Sequence, residues 1–248
     1  DHRVPQVKFV DRTFNCNHQH AIAIWSYLLE HDNGVTNFHF EISADLLNVE
    51  ELRLMKQMRP GLIQLEIGVQ SVNPETIREI KRTMNLKKLK EIVGQVRGFG
   101  NIHQHLDLIA GLPYEDMESF ARSFDEVYHM YPQQLQLGFL KVLKGSYMEE
   151  QVAAYDLRYR GIPPYEVLST KWLSYGDVLK IKGIEEMVEV YYNSWQFART
   201  VELLTEEFED FFGLYEALAD FYEKQNYNGR SHSRMERLLI LREFALSI

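Results

Sequence analysis

Three side chains alternate along one short apolar run: His103, His105 and Asp107. Successive side chains of an extended strand point to opposite faces, so these three share one. Two imidazoles and a carboxylate on one face could hold a metal ion or move a proton. Similar polar groups end other apolar runs. Asp11 is followed by Phe14-Asn15-Cys16-Asn17, Glu41 by Ser43 and Asp45, and Glu66 by Gly68, Gln70 and Ser71. Taken singly, each has a plain structural reading. Asp11, Asn15, Ser43 and Asp45 suit the cap of a following helix, and Ser71 to Glu75 reads as an ordinary helix start. Their recurrence after four runs lines one end of a sheet with hydrogen-bonding groups.

The elements that must carry these groups follow from periodicity. Strands are expected over 7–11, 37–42, 62–69, 102–110 and 134–142. Helices are expected over 21–30, 49–57, 74–80, 86–99 and 117–130, with Ile22, Trp25, Leu28 and Leu29 on one side of the first. The connections are too long for hairpins, so the strands lie parallel. In a parallel α/β barrel the C-terminal strand ends carry function, and the polar groups sit there. Near residue 148 the texture changes. Two short strands, 155–161 and 165–172, flank Pro163-Pro164; helices follow over 175–192, 195–208, 211–225 and 234–246. Their aromatic stripes, Tyr191, Trp195, Phe212 and Tyr222 among them, read as core.

Composition narrows the class. The chain has 248 residues, 45% hydrophobic and 25% charged, with a net charge of -9. That balance argues against a nucleic-acid surface, which needs clustered Lys and Arg. Lys87, Lys88 and Lys90 sit beside Glu91 in a helical pattern and read as a solvated face. No apolar run approaches the ~20 residues of a membrane span. Asp1-His2-Arg3 is too polar for a signal peptide, and a cytoplasmic location is expected. A single cysteine, Cys16, excludes an internal disulfide or a cluster held by several thiolates of this chain.

Four segments in this order resemble the radical S-adenosylmethionine superfamily: Phe9 to Asn15; Phe40-Glu41-Ile42-Ser43; Glu66-Ile67-Gly68-Val69-Gln70-Ser71 with Arg82 beyond; and Asp107 to Pro113 with Glu115 following. The likeness covers 7–145. It points to the branch holding the oxygen-independent coproporphyrinogen oxidases, the methylthiotransferases, the cobalamin-binding radical enzymes and the Mg-protoporphyrin monomethyl ester oxidative cyclases. The fold it implies is α/β: an incomplete parallel (β/α)6-type, TIM-like barrel over 1–148, with a mostly helical C-terminal domain over 149–248. The segment Lys171 to Tyr175, running on to Lys182-Gly183-Ile184, resembles the C-terminal extension of cobalamin-binding radical enzymes.

The resemblance also implies roles. Glu41 would reach the ribose or amino group of S-adenosylmethionine, Gln70 and Asp107 would face the ribose hydroxyls, and Arg82 would pair with the methionine carboxylate. Ile109 to Gly111 would pass close to the adenine. Surface pairing of Arg82 with Glu79 is the plain alternative. The parent activity would be reductive cleavage of S-adenosylmethionine at a 4Fe-4S cluster, giving a 5′-deoxyadenosyl radical that abstracts hydrogen from a small-molecule substrate. Cobalamin in the full-length protein and a porphyrin-like substrate both fall within the branch.

The family's three-cysteine loop and the Gly-Gly-Glu-type segment after it are not in this sequence, and Cys16 is alone. The chain is therefore expected to be truncated ahead of the family's second strand and inactive by itself. The strand bearing Val7 and Val10 would then be a bare edge, expected to pair with another copy. Two other functions stay open: a non-catalytic barrel that binds a nucleoside or protein partner, and a His-x-His metal-dependent hydrolase.

Overall fold

Alternation along the central strands decides how the sheet is buried. In the computed structural model, which describes residues 4–248, Phe40, Ile42, Leu65, Ile67, Leu106 and Leu108 form one fully buried face. Asp1, His2 and Arg3, and the leader reading made on them, lie outside the described residues.

Five parallel strands pair in chain order: β1 (Gln6–Lys8), β2 (Asn37–Ile42), β3 (Ile63–Gln70), β4 (His103–Ala110) and β5 (Gln134–Phe139). Between them run α1 (His18–Glu30), α2 (Val49–Gln57), α3 (Pro74–Glu79), α4 (Leu86–Phe99) and α5 (Met117–Tyr128). This is the expected partial TIM-like barrel. The apolar face packs on helices: the Trp25 ring of α1 meets Phe40 edge-on at 5.8 Å, and Phe14 lies 4.5 Å from the same ring. Register follows from this burial, because a slip of one residue would turn the buried set outward.

Caps explain the helix starts. Asn17 opens α1, Asn73 opens α3 and Asn85 opens α4. Asn48 and Glu51 form a reciprocal capping box at α2.

The chain divides into two compact units. The first comprises residues 1–108 and 126–136; the second comprises 109–125 and 137–248. Residues 109–125 group with the second unit because Phe120 and Phe124 pack edge-on against Phe212, and Asp125 accepts a hydrogen bond from the Phe212 amide at 2.9 Å. The second unit also holds α6 (Tyr147–Glu150), an antiparallel pair β6 (Arg158–Tyr159) and β7 (Val167–Ser169), and helices α7 (Tyr175–Met187), α8 (Ala198–Leu204), α9 (Phe211–Lys224) and α10 (Arg234–Ala245). Its core is largely aromatic: Tyr191, Phe212, Tyr215, Tyr222 and Phe244 are buried, whereas Trp195, expected in the core, is 57% exposed.

Several boundaries differ from the periodicity: the strands expected over 155–161 and 165–172 shorten to Arg158–Tyr159 and Val167–Ser169, and the helix over 195–208 to Ala198–Leu204. The first strand ends at Lys8, because its ladder stops at the Phe9 amide and Val10 is fully exposed. The fifth ends at Phe139, since Lys141 bridges Glu166 and the Val142 amide donates to the Tyr165 carbonyl. The helix expected over 175–192 widens after Met187 into a π-helical turn, Val188–Asn193. Among the described residues no helix is long and apolar enough to cross a membrane.

Candidate functional site

The face of the sheet opposite its apolar side is polar in successive layers. Register aligns Lys8, His39, Gln64 and His103 in one layer, then Glu41, Glu66 and His105, then Gly68 and Asp107 toward the C-terminal ends. His103 hydrogen-bonds Gln134 and His105 hydrogen-bonds Gln136, which extends the first two layers to β5.

Glu66 is the centre of the lower cluster. Its Oε2 lies 2.9 Å from Lys8 Nζ and 2.8 Å from His39 Nε2, the latter off the line of a hydrogen bond. Burial works against its charge, but Lys8, His39 and His105 outweigh it and hold the carboxyl below its ordinary pKa. Lys8 moves up, chiefly through its hydrogen bond to Glu66. Burial and then the Lys8 charge push His39 down, and its Nδ1 faces the Gln64 amide at 3.1 Å. For His105 burial again opposes the charged form, but the facing Asp107, 2.9 Å away, carries the net shift upward.

Above this lies the group singled out in the sequence. A register shift between Gly68 and Gln70 puts Gln70 in the left-handed region, φ 70°, and folds its side chain back over Gly68. A Cβ on Gly68 would run into the Gln70 amide, so glycine is needed there. Arg82 donates to the Gly68 carbonyl and faces Asp45, Glu41 and Asp107. The structure thus brings Glu41, Gln70, Arg82 and Asp107 together, and Arg82 turns inward to the strand end. Burial, then Glu66, raises the Glu41 carboxyl.

Ile109 and Gly111 follow on the same strand end, in the second unit. Gly111 has φ +89°, and a Cβ there would meet Val167 Cγ1 at 2.7 Å.

Several strand-end residues serve structure. Asn15 is fully buried and clamps the Ser43 backbone from both sides, at 2.9 and 3.0 Å. Asp45 takes the Ser43 hydroxyl and the Asn85 amide, where a helix cap was one reading. Lys8, His39 and Glu66 were not legible as one cluster. The signal was present in the alternation, but their meeting depends on register across three strands.

Cofactor fit can be judged from the donor set. Gln70 Oε1 is buried without a hydrogen bond, Asp107 Oδ1 meets only the misaligned His105, and Glu41 has no side-chain partner among the described residues. Acceptors left open beside a fixed guanidinium fit a nucleoside bearing hydroxyls and a carboxylate. An iron–sulfur cluster does not fit these residues, because Cys16 is the one thiol and is exposed. Among the described residues no group of three or more His, Cys, Asp or Glu side chains could hold a metal ion. His103 and His105 share a face but turn to separate partners, which leaves the metal-hydrolase reading without a ligand set.

A family model described as the radical SAM superfamily matches residues 2–127. A second, described as a protein of unknown function (DUF4080), matches 153–248. Oxygen-independent coproporphyrinogen III oxidase of Salmonella typhimurium is 31% identical over 105 residues, covering 40% of this chain and 23% of the relative. The Escherichia coli K12 protein of the same name is 30% identical over 105 residues, with the same two shares. The chain thus spans about a quarter of the length of these curated relatives.

Among solved structures, coproporphyrinogen III oxidase (HemN) from Escherichia coli, described as a radical SAM enzyme, aligns with TM-score 0.54 and 21% identity over 72% of this chain and 39% of that one. The radical S-adenosylmethionine methyltransferase TsrM from Kitasatospora setae, solved with cobalamin and a [4Fe-4S] cluster, aligns with TM-score 0.53 and 14% identity over 65% and 32%. At such identities the likeness is one of fold.

Proposed function

The chain belongs to the radical S-adenosylmethionine superfamily, and on that premise we propose that its strand-end group is the outer cradle for S-adenosylmethionine in an enzyme that abstracts hydrogen from an organic substrate. The observation that carries this reading is the set of open acceptors on Glu41, Gln70 and Asp107 around Arg82. Gln70 and Asp107 would take the ribose hydroxyls, and Glu41 the ribose or amino group. Arg82, anchored by the Gly68 carbonyl, would pair with the methionine carboxylate through its planar donor fork.

Bound there, S-adenosylmethionine would supply the hydrogen-abstracting group. This sequence contributes one thiol, so the cysteines of a [4Fe-4S] cluster would come from residues outside it, and this stretch alone would not run the reaction. The finer readings, cobalamin as a second cofactor and a porphyrin-like substrate, rest on the named relatives.

Calorimetric titration of S-adenosylmethionine into this chain tests the cradle. Weak, saturable binding is expected, reduced about tenfold or more in Gln70→Ala and Asp107→Ala, which corresponds to about 1.4 kcal/mol. Affinity equal to wild type in both variants overturns it.

A further inference from the structure

Barrel interiors are normally filled by bulky branched side chains. Here every inward position of the two lower layers on β2 to β5 is polar: His39 and Glu41, Gln64 and Glu66, His103 and His105, Gln134 and Gln136. Gln136 is exposed and most of the others are half-buried, but for the buried atoms desolvation costs stability unless each finds a partner. Several do not. Glu66 Oε2 receives both Lys8 and His39, while Oε1 has no partner among the described residues. His39 and His105 are 8% and 7% exposed, and the Nε2 of each lacks an aligned acceptor.

The cations on this face are each engaged. Lys8 is paired with Glu66, His105 faces Asp107, and Arg82 is held by the Gly68 carbonyl and three carboxylates. An anionic ligand would find no free cation here. A cationic ligand at Glu66 would meet the Lys8 ammonium beside its open carboxylate oxygen. An apolar ligand would leave the row unsatisfied. A hydroxyl group both donates and accepts, which suits an open carboxylate oxygen next to imidazole and amide groups.

From this arrangement we infer that the layer beneath the cofactor cradle is a substrate subsite for a neutral, hydroxyl-rich group, sugar- or polyol-like, with Glu66 as its principal acceptor. The inference rests on the cradle reading above for its place in the reaction. Lys8 and His39 hold Glu66 ionised and aimed, so its second oxygen can accept a substrate hydroxyl. Gln64 accepts or donates alongside it, and the imidazole of His105 donates from the next strand.

The test is a titration of this chain, 15N-labelled at its histidines, followed through the imidazole resonances. The probes are methyl α-glucoside, myo-inositol and, as a polyanion, citrate. At least one polyol should shift His39 and His105 saturably, with His18, His129 and His232 unmoved as controls of the fold. Glu66→Gln should weaken that binding about tenfold or more. Lys8→Met, at a half-exposed position, should weaken it several-fold and guards against a folding failure in the first variant. Citrate moving His39 and His105 in place of the polyols overturns the subsite. So does a polyol shift that survives both substitutions unchanged, or no saturable shift with any polyol. S-adenosylmethionine calorimetry on the same samples separates the two readings. Polyol binding without cofactor binding sinks the cradle, and cofactor binding without polyol binding sinks the subsite alone.

Discussion

Glu41 sits where a carboxylate is a liability to the fold. Burial and the nearby Glu66 raise its pKa, and among the described residues its side chain has no hydrogen bond or ion pair. A carboxyl with a raised folded pKa binds protons more readily folded than unfolded. Its ionised form therefore costs stability above the folded pKa, and the cost fades as pH falls toward and below the ordinary value of 4.5. Glu41→Gln should accordingly raise the urea midpoint at pH 8, with the gain shrinking toward pH 4.5. Parallel urea curves for the two proteins at both pH values check this; a loss of stability at pH 8 would mean that Glu41 has a stabilising partner. At this scale the resemblance named Glu41, Gln70, Arg82 and Asp107, and the fold brings these four near one another. The sequence was not legible for the partners of Glu66, because Lys8 and His39 reach it from other strands and only the ladder register brings them to 2.9 and 2.8 Å.

At the scale of elements, the irregular end of β3 does the positioning. The shift between Gly68 and Gln70 turns Gln70 back over its own strand, and Arg82 reaches the same spot from beyond α3. Gly68→Ala separates the structural role of this bend from its functional one. The new methyl meets the far end of a flexible side chain, so the stability cost should be at most about 1 kcal/mol, the low end for overpacking. The Gln70 amide, however, must leave its place, and S-adenosylmethionine binding should fall about as far as in Gln70→Ala. Calorimetry and urea unfolding on one preparation measure both; retained binding would show that the amide's position is immaterial. Element types were readable from period and caps, since the apolar alternation of β2 to β4 is the burial pattern itself. The bend at Gln70 and the π-helical turn after Met187 were not, because neither leaves a mark in the apolar alternation or the helical period.

For the molecule as a whole, the open question is the outer edge of the sheet at β1. The Phe9 amide donates to the His39 carbonyl and the Asn37 amide to the Pro5 carbonyl, so odd-numbered positions bond to β2. The backbone groups of Gln6 and Lys8 point the other way, and Val10 just beyond is 94% exposed. A row of outward donors and acceptors beside an exposed valine is a template for another strand. We propose that two copies of this chain associate along it. Gln6→Pro removes one outward donor while leaving the bonds to β2 intact, and proline is tolerated on edge strands of this kind. Sedimentation velocity at tens of micromolar should show dimer for the parent chain and monomer for Gln6→Pro, with unchanged circular dichroism. A parent chain that stays monomeric over that range overturns the proposal. A variant that dimerises as well as the parent would move the contact elsewhere on the surface, because the donor it lacks is the one an added strand would have to use.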